Sequence, residues 1–411
     1  MPTPLDHTFP NQLRLIGEPD PAAHTAAIGF FVNAGARDED PAVMGVSHFL
    51  EHMMFKGTER RTADDVNREF DEIGANYNAF TSHEQTVYWA HVLPEMLDRA
   101  TDLLADMLRP SLRTDDFDME KNVILEEIGM YDDRPEWRLQ DALLENYFRG
   151  HPLSHRVLGT ADTIKPLTAD QMRDYFTQRY AADNITIAAA GNFDPAQLTD
   201  ALAERTAHWQ PSGATRNHGT PPAHDASNTL TDDRVSRHYL ALLTPAPSNQ
   251  DDLRYAAKVF ADVVGDQEGS RLYWALVEPG IAEEADLSFW PHDRAGAYMA
   301  GALCDKAAAT QVEDKLIDTL TRALADEPPT DDEIERAKNK LATRMTLTGE
   351  RPHGRMQSIG IQFLYRREVT PLADELANLR AVTRDDIANL NAAYPLTPRS
   401  ILRLTPAEAA T

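Results

Sequence analysis

The sequence predicts an α+β protein built from two homologous domains, and two observations carry this prediction. Helical and strand segments interleave without the regular βαβ alternation that a parallel sheet requires. The order of segments in the first half of the chain then returns in the second half, as in internal duplications. At 411 residues the chain is also long enough for two domains that each bury a core.

Apolar periodicity and residue preference predict the elements of the first half in order. The strand signal is clearest over 76–92, where Phe80, Thr81 and the run from Thr86 to Trp89 are aromatic or β-branched. The predicted strands cover 12–17, 26–33, 76–92 and 185–190, and the predicted helices cover 43–55, 63–73, 94–108, 114–133, 135–149 and 168–180.

The duplication is visible in four segments that begin with threonine, a common residue at the start of a helix. Thr114 and Thr330 each precede two aspartates and a helix that contains Lys-Asn. Thr168 and Thr383 each begin a helix that ends at a tyrosine and leads to an apolar strand. The repeat predicts an N-terminal domain over 1–206, a linker over 207–228 that is rich in Pro, Gly, Ser and Asn, and a C-terminal domain over 229–411.

The most informative segment is His48-Phe49-Leu50-Glu51-His52, within the helix predicted over 43–55. Its two histidines are four residues apart, so both imidazoles project from one helix face and can bind one metal ion. Glu51 stands beside the second histidine, where a carboxylate can take a proton from zinc-bound water. This H-x-x-E-H order is the inverse of the commoner H-E-x-x-H. The segment therefore predicts a zinc hydrolase site.

A catalytic zinc site needs a third protein ligand and an open position for water. The adjacent Glu126 and Glu127, on the helix predicted over 114–133, are both candidates. Taken singly, a histidine or a Glu-Glu pair on an amphipathic helix is more often a solvated face. A structural zinc site is normally closed by four Cys or His ligands, and the sequence has one cysteine, Cys304. The catalytic interpretation is therefore favoured.

Four blocks of the first half resemble one known family. They are GVSHFLEHMMFKGT at 45–58, NAFTSHEQTVY at 78–88, EKNVILEE at 120–127 and HPLSHRVLGT at 151–160. In this order and spacing they resemble the pitrilysin/insulysin family of zinc metallopeptidases, and most closely its processing-peptidase branch. The resemblance implies a mostly antiparallel sheet covered by helices in each domain, and a chain that forms one half of a clam-like enclosure.

The resemblance also implies roles for individual residues. His48, His52 and Glu127 become the zinc ligands, Glu51 the general base, and Glu120 a carboxylate that supports a ligand without touching the metal. In the second half, residues 269–275 stand in the place of the motif and offer Arg, Trp and Ala where the first half has His, Glu and His. We therefore expect one zinc ion per chain, with manganese or cobalt left open as the native metal.

Substrate binding is assigned to the start of the strand over 76–92. Its residues alone fit an ordinary strand, whereas the resemblance implies an edge strand that pairs with an extended peptide. The residues assigned to this contact are Asn78, Ala79, Phe80 and Thr81.

The sequence departs from the family at one place. Many active members carry an Arg and a Tyr, seven residues apart in the second half, that steady the substrate and the oxyanion. Here those places hold Val277 and Glu284, which cannot donate to an oxyanion. Arg271, Tyr273 or Arg355 could substitute, a partner chain could supply the pair, or activity could be weak.

The function predicted from these residues is a zinc-dependent endopeptidase that hydrolyses unstructured peptides inside a dimeric chamber, with Glu51 as general base for zinc-bound water. The alternative is a zinc-bound but weakly active or non-catalytic peptide-binding subunit that needs a partner chain. A third interpretation, a small-molecule zinc hydrolase, fits the motif but not the peptide-binding strand. The partner is expected to be a second copy or a sister subunit.

Composition excludes some classes of binding partner and indicates where the protein works. A formal net charge of −26 argues against nucleic acid and against anionic membrane surfaces. One cysteine cannot form an internal disulfide. The first ten residues have no basic and apolar leader pattern, and no run reaches the ~18 apolar residues of a membrane span. These features predict a cytoplasmic protein.

Overall fold

The computed structural model describes residues 4–407, which form two compact units with one sheet in each. The strands of the described chain are β1 (Leu5–Thr8), β2 (Arg14–Pro19), β3 (Ala26–Val32), β4 (Asn76–Thr81), β5 (Thr86–Val92), β6 (Ile185–Gly191), β7 (Ala226–Asp232), β8 (His238–Pro245), β9 (Glu284–His292), β10 (Ala295–Cys304) and β11 (Ser400–Pro406).

The helices of the same residues are α1 (Val46–Met54), α2 (Ala63–Glu72), α3 (Leu97–Met107), α4 (Thr114–Asp132), α5 (Pro135–Tyr147), α6 (Ala161–Ile164), α7 (Ala169–Arg179), α8 (Pro195–Thr206), α9 (Arg254–Gly265), α10 (Ala309–Leu324), α11 (Asp331–Gly349), α12 (Pro352–Arg366), α13 (Leu372–Ala381) and α14 (Arg384–Ala393). The predicted α+β class is confirmed.

Both sheets have the same strand order, which confirms two homologous domains. The first sheet runs β1-β2-β6-β3-β5-β4, and the second runs β7-β11-β8-β10-β9. Without β1, the two orders are identical when strands are counted along the chain. The β2–β6 and β7–β11 pairs are parallel, and all the other pairs between the described strands are antiparallel. Each sheet is therefore mostly antiparallel, as expected.

The two compact units are not continuous in sequence. The first contains residues 4–129, 155–217 and 347–370, and the second contains 130–154, 218–346 and 371–407. Helix α12 therefore belongs to the first unit although it lies late in the chain, and α5 belongs to the second. The domain boundaries predicted from the sequence repeat stay a prediction, and residues 226–228 of the predicted linker are the first residues of β7.

The single strand predicted over 76–92 is wrong. Residues 76–81 and 86–92 are two antiparallel strands, β4 and β5, in which Thr81 lies opposite Thr86. Ser82 makes the reversal between them, because its hydroxyl accepts hydrogen bonds from the backbone N–H groups of Glu84 and Gln85. Such local side-chain bonds compete with the extended conformation. The strand preference of the flanking residues conceals this turn in the sequence.

In the first unit, α12 covers one face of the sheet. Its residues Met356, Ile359 and Phe363 pack on a row of sheet residues that includes Phe31 and Val87. The opposite face carries Ile28, Phe30, Val32 and Tyr88, and it packs on the remaining helices of the unit in the largest hydrophobic cluster. The sheet therefore has two buried faces, as a helix-covered sheet requires.

The second unit repeats this arrangement with α5. Leu139, Leu143 and Leu144 of that helix pack on one face of the second sheet, where Leu243 and Leu402 are buried. Each unit thus takes one covering helix from the other half of the chain.

Among the described residues, no helix combines the length and the apolar character needed to span a bilayer. The cytoplasmic location stays a prediction.

The contact between α12 and the first sheet predicts an effect for a single methyl group. A Cβ added at Gly360 would meet the Phe31 ring at 2.3 to 2.6 Å. We expect Gly360→Ala to lower the free energy of unfolding by about 1–3 kcal/mol, because overpacking outweighs the helix preference of alanine. Denaturant unfolding measures the change.

Gly129→Ala in α4 is the matched control, because a Cβ there meets nothing within 4 Å. This variant should keep or raise the unfolding midpoint. Equal midpoints for Gly360→Ala and the parent would contradict the close approach of α12 to the sheet.

Candidate metal centre

The histidine motif lies on α1, whose beginning is fixed by a buried carboxyl group. Glu39 accepts hydrogen bonds from the backbone N–H groups of Gly45 and Ser47, each at 2.7 Å. Burial raises the pKa of Glu39 to about 8, although the two N–H groups lower it. The hydroxyl of Ser47 also lies 2.6 Å from that of Tyr175. The first turn of α1 is therefore held by side chains from outside the helix.

Three potential metal ligands meet where α1 faces α4. Nε2 of His48 lies 3.8 Å from Oε1 of Glu127, and Nε2 of His52 lies 3.5 Å from Oε2 of the same carboxylate. One ligand atom from each residue lies within 4.8 Å of the other two. Ligand atoms of a tetrahedral zinc ion stand about 3.4 Å apart, so the spacing fits one ion. The neighbouring Glu126 is exposed and is not part of this cluster.

The chemistry of the cluster fits a metal better than an ion pair. Burial, and to a lesser degree the charge of His52, lower the pKa of His48 to about 3, so its imidazole is neutral at pH 7. A neutral imidazole attracts Glu127 weakly but is a good zinc ligand. Nδ1 of His48 is buried and has no hydrogen-bond partner in the described chain. His48 and Glu127 therefore gain little from each other without a metal ion.

His52 is oriented by a carboxylate on its far side. Its Nδ1 lies 2.9 Å from Oε1 of Glu120, and Oε2 of Glu120 lies 2.5 Å from Nζ of Lys56. Burial opposes the charge of Glu120, but the hydrogen bonds from Lys56 and His52 outweigh it and hold the pKa of Glu120 below its usual range. Oε1 of Glu120 can accept a hydrogen bond from Nδ1 of His52, and Nε2 of the same ring then faces Glu127. The role of Glu120 as a support for a metal ligand stays a prediction.

Glu51 lies on the same helix and is half-buried. Burial raises its pKa, the Thr81 hydroxyl and His52 lower it, and the nearby Glu127 carboxylate raises it. The Thr81 hydroxyl donates a hydrogen bond to Oε2 of Glu51 at 2.6 Å. A raised carboxyl pKa suits a group that exchanges protons near neutral pH.

Strand β4, to which substrate binding was assigned, is the last strand of its sheet, and no other described strand pairs with its outer edge. Asn78 is exposed, Phe80 and Thr81 are half-buried, and Ala79 is buried. The turn after β4 is held by Glu84, whose carboxylate accepts from Arg37 at 2.6 Å and from Tyr365 at 2.9 Å. The edge strand is thus anchored to buried groups of its unit and ends beside Glu51.

The described part of the second half has no equivalent cluster. Val277 ends a π-helical turn and Glu284 begins β9, where its side chain is exposed. Two of the suggested substitute donors are already paired, because Arg271 binds the carboxylate of Glu333 and Arg355 binds that of Glu18. Among residues 4–407, His48, His52 and Glu127 form the one group of three potential metal ligands.

Tyr273, the third suggested donor, is half-buried, and its ring packs edge-on against that of Trp274. The position of its ring gives no further support to a role in catalysis.

Two imidazoles and a carboxylate, carried in the inverted order on an α+β unit whose fold is duplicated, define the class of inverted-motif zinc metallopeptidases. The family description "Insulinase (Peptidase family M16)" matches residues 14–161, and "Peptidase M16 inactive domain" matches residues 166–341. The chain belongs to this insulinase family, peptidase family M16.

Bacterial proteins match this chain along most of their length. A protein of Streptomyces coelicolor named as a zinc protease is 32% identical over 392 residues, which are 92% of this chain and 84% of that protein. The zinc protease YmxG of Bacillus subtilis is 29% identical over 391 residues, which are 93% of this chain and 94% of that protein.

Solved structures share the fold. A protease from Helicobacter pylori superposes with a TM-score of 0.92 at 19% identity, covering 99% of this chain and all of that one. A chain of Complex III2 from Candida albicans superposes with a TM-score of 0.84 at 18% identity, covering 98% and 95% of the two chains.

Sequence reasoning missed three contacts of this centre. Nothing in the sequence indicates that Glu39 reaches the beginning of α1, because the bond depends on the path of the chain before the helix. Lys56 lies within the block at 45–58 but beyond the end of α1, so helical spacing does not indicate that it reaches Glu120. The contact between Thr81 and Glu51 joins a strand to a helix and has no local signal.

The contact between Glu120 and His52 predicts the effect of removing one charge. Glu120→Gln should weaken zinc binding about 10–100-fold, because the amide orients and polarises the imidazole less than a carboxylate does. Competition with a chelator of known affinity measures this change. Glu126→Gln, on the exposed neighbour, should bind zinc as the parent does. Equal affinity in both variants would show that Glu120 does not support the metal site.

Proposed function

We propose that this protein is a zinc-dependent endopeptidase that hydrolyses unstructured peptides. The observation that carries the proposal is the cluster of His48, His52 and Glu127 with Glu51 adjacent to a ligand in sequence. The family and the names of the relatives support peptidase activity and zinc. We propose that the three clustered residues bind one zinc ion per chain, and that Glu120 holds the His52 ring in place.

Glu51 acts in this proposal as the general base. Zinc bound at the cluster would lower the pKa of a coordinated water toward ~7 and polarise the scissile carbonyl. Glu51 accepts a proton from the attacking water and passes it to the departing amine. Its partly buried carboxylate supports this role, since burial raises the pKa of the acid that must later release the proton.

The substrate that suits this site is an extended peptide. The outer edge of β4 pairs with no other strand of the described fold, and an extended chain can add to it as a further strand. Asn78, Ala79, Phe80 and Thr81 lie on this strand, which ends beside Glu51. Backbone pairing requires an unfolded segment and is largely independent of its sequence, so a small hydrolysable molecule is a poorer fit.

The missing Arg and Tyr limit the expected rate. Val277 and Glu284 donate no hydrogen bond to an oxyanion, and the guanidinium groups of Arg271 and Arg355 are paired with carboxylates. Loss of one oxyanion donor typically costs about 10²–10³ in rate. We therefore propose modest turnover by the chain alone and faster turnover if a partner chain supplies the donors.

Assembly into a dimeric chamber completes the proposal. The chain covers most of the length of its relatives and resembles one half of the family's two-part enclosure. A second copy, or a sister subunit, would close the chamber and exclude folded proteins.

Substitutions at the metal centre test the division of roles. Glu51→Gln should keep one zinc per chain and lose peptide cleavage by at least about 10²-fold, because the amide cannot accept the proton. His48→Ala and Glu127→Ala should lose zinc as well as cleavage. Metal analysis and mass spectrometry of a digested library of unstructured peptides give the two readouts.

Glu126→Gln again provides the control and should match the parent in both readouts. Full turnover by Glu51→Gln would remove Glu51 as the base. Zinc binding by the parent without any cleavage, alone or with co-purifying proteins, would favour the alternative of a non-catalytic peptide-binding subunit.

Light scattering tests the assembly. We expect a species of twice the chain mass of 45.9 kDa, or a complex with a second polypeptide when the protein is isolated from its source. A single species of 45.9 kDa at concentrations well above those of the activity assay would contradict the dimeric chamber.

A further inference from the structure

The hydroxyl group of Thr81 has one close partner. Thr81 is the last residue of β4, and its Oγ1 lies 2.6 Å from Oε2 of Glu51. The next oxygen, Oγ1 of Thr86, is 3.4 Å away. A carboxylate is the stronger acceptor, and a distance of 2.6 Å is typical of a hydroxyl that donates to an ionised oxygen. The hydroxyl proton of Thr81 therefore points at Glu51.

The sheet fixes the position of this hydroxyl. Thr81 lies opposite Thr86 in the β4–β5 ladder, and the fully buried Thr86 donates its own hydroxyl proton to the backbone carbonyl of Ala34 at 3.0 Å. The turn that follows is closed by the Ser82 N–H, which donates to the Gln85 carbonyl at 2.8 Å. Thr81 is thus part of a paired strand, not of a mobile loop, and holds whatever it binds in one place.

Glu51 depends on this contact for its orientation. In the described chain, Thr81 is the one residue that donates a hydrogen bond to Glu51. The contact occupies Oε2 and leaves Oε1 available for proton transfer. The Glu127 carboxylate on α4 also lies near Glu51. Because the two carboxylates repel each other, Glu127 cannot orient Glu51.

We propose that Thr81 is a positioning residue that ties the general base Glu51 to the peptide-binding edge strand, rather than a residue that contacts substrate with its side chain. The inference rests on the proposed function. In this arrangement the backbone groups along β4 pair with the peptide. The Thr81 hydroxyl, at the end of the same strand, positions the carboxylate of Glu51 beside the bond to be cleaved. The peptide and the Glu51 carboxylate are therefore both held by strand β4.

The kinetic test uses three variants. Thr81→Val keeps the shape and strand preference but removes the hydroxyl, and it should lower kcat about 10–100-fold with KM changed less than about twofold. Thr81→Ser keeps the hydroxyl and should restore most of kcat. Thr229→Val, on the exposed strand β7, controls for the substitution itself and should match the parent. A raised KM with unchanged kcat in Thr81→Val would overturn the inference in favour of a substrate contact.

A second measurement needs no activity. In the metal-free protein, Thr81→Val should lower the urea midpoint when Glu51 is present and have little effect in a Glu51→Ala background, because the two side chains act as one unit. Equal losses in both backgrounds would overturn the inference. A parent enzyme without turnover would remove the proposed function, while this coupling would still decide whether Thr81 holds Glu51.

Discussion

The stacking of Phe49 on Phe117 fixes the distance between α1 and α4, and the metal centre depends on it. The two rings are buried, with centroids 4.7 Å apart and planes inclined by 16°. Phe49 follows His48 directly, and Phe117 precedes Glu120 by one helical turn on the helix that also carries Glu127. Because packed aromatic pairs resist displacement, the ligands of both helices are brought to a spacing that side-chain rotation alone could not provide.

The duplicated fold separates stability from chemistry. In the second half, Leu272 and Leu276 are fully buried in the core of their unit. Between them, Trp274 is exposed and Ala275 is half-buried. The apolar side of the segment maintains the fold whatever the other side carries, so a copy of the domain can keep its fold without metal ligands.

The sequence predicts those parts of the site that depend on local geometry. The spacing of His48 and His52 is sufficient, because helix geometry places both rings on one face. The choice between Glu126 and Glu127 needed the resemblance, since the rotation of α4 toward α1 is set by distant packing. The turn at Ser82 was missed because strand preference is continuous on both sides of it. The places of α5 and α12 could not be predicted either, since an amphipathic pattern shows that a helix covers a surface but not which one.

The exchange of covering helices has a consequence for synthesis of the chain. The strands of the first sheet all precede residue 192, but the helix that covers Phe31 and Val87 is Pro352–Arg366. One face of this sheet therefore stays open while the intervening residues are translated, and transiently exposed apolar surface of this kind promotes aggregation. A chain that stopped before α12 would keep its motif helix and its potential ligands, yet it would leave the ribosome with the back of its sheet uncovered.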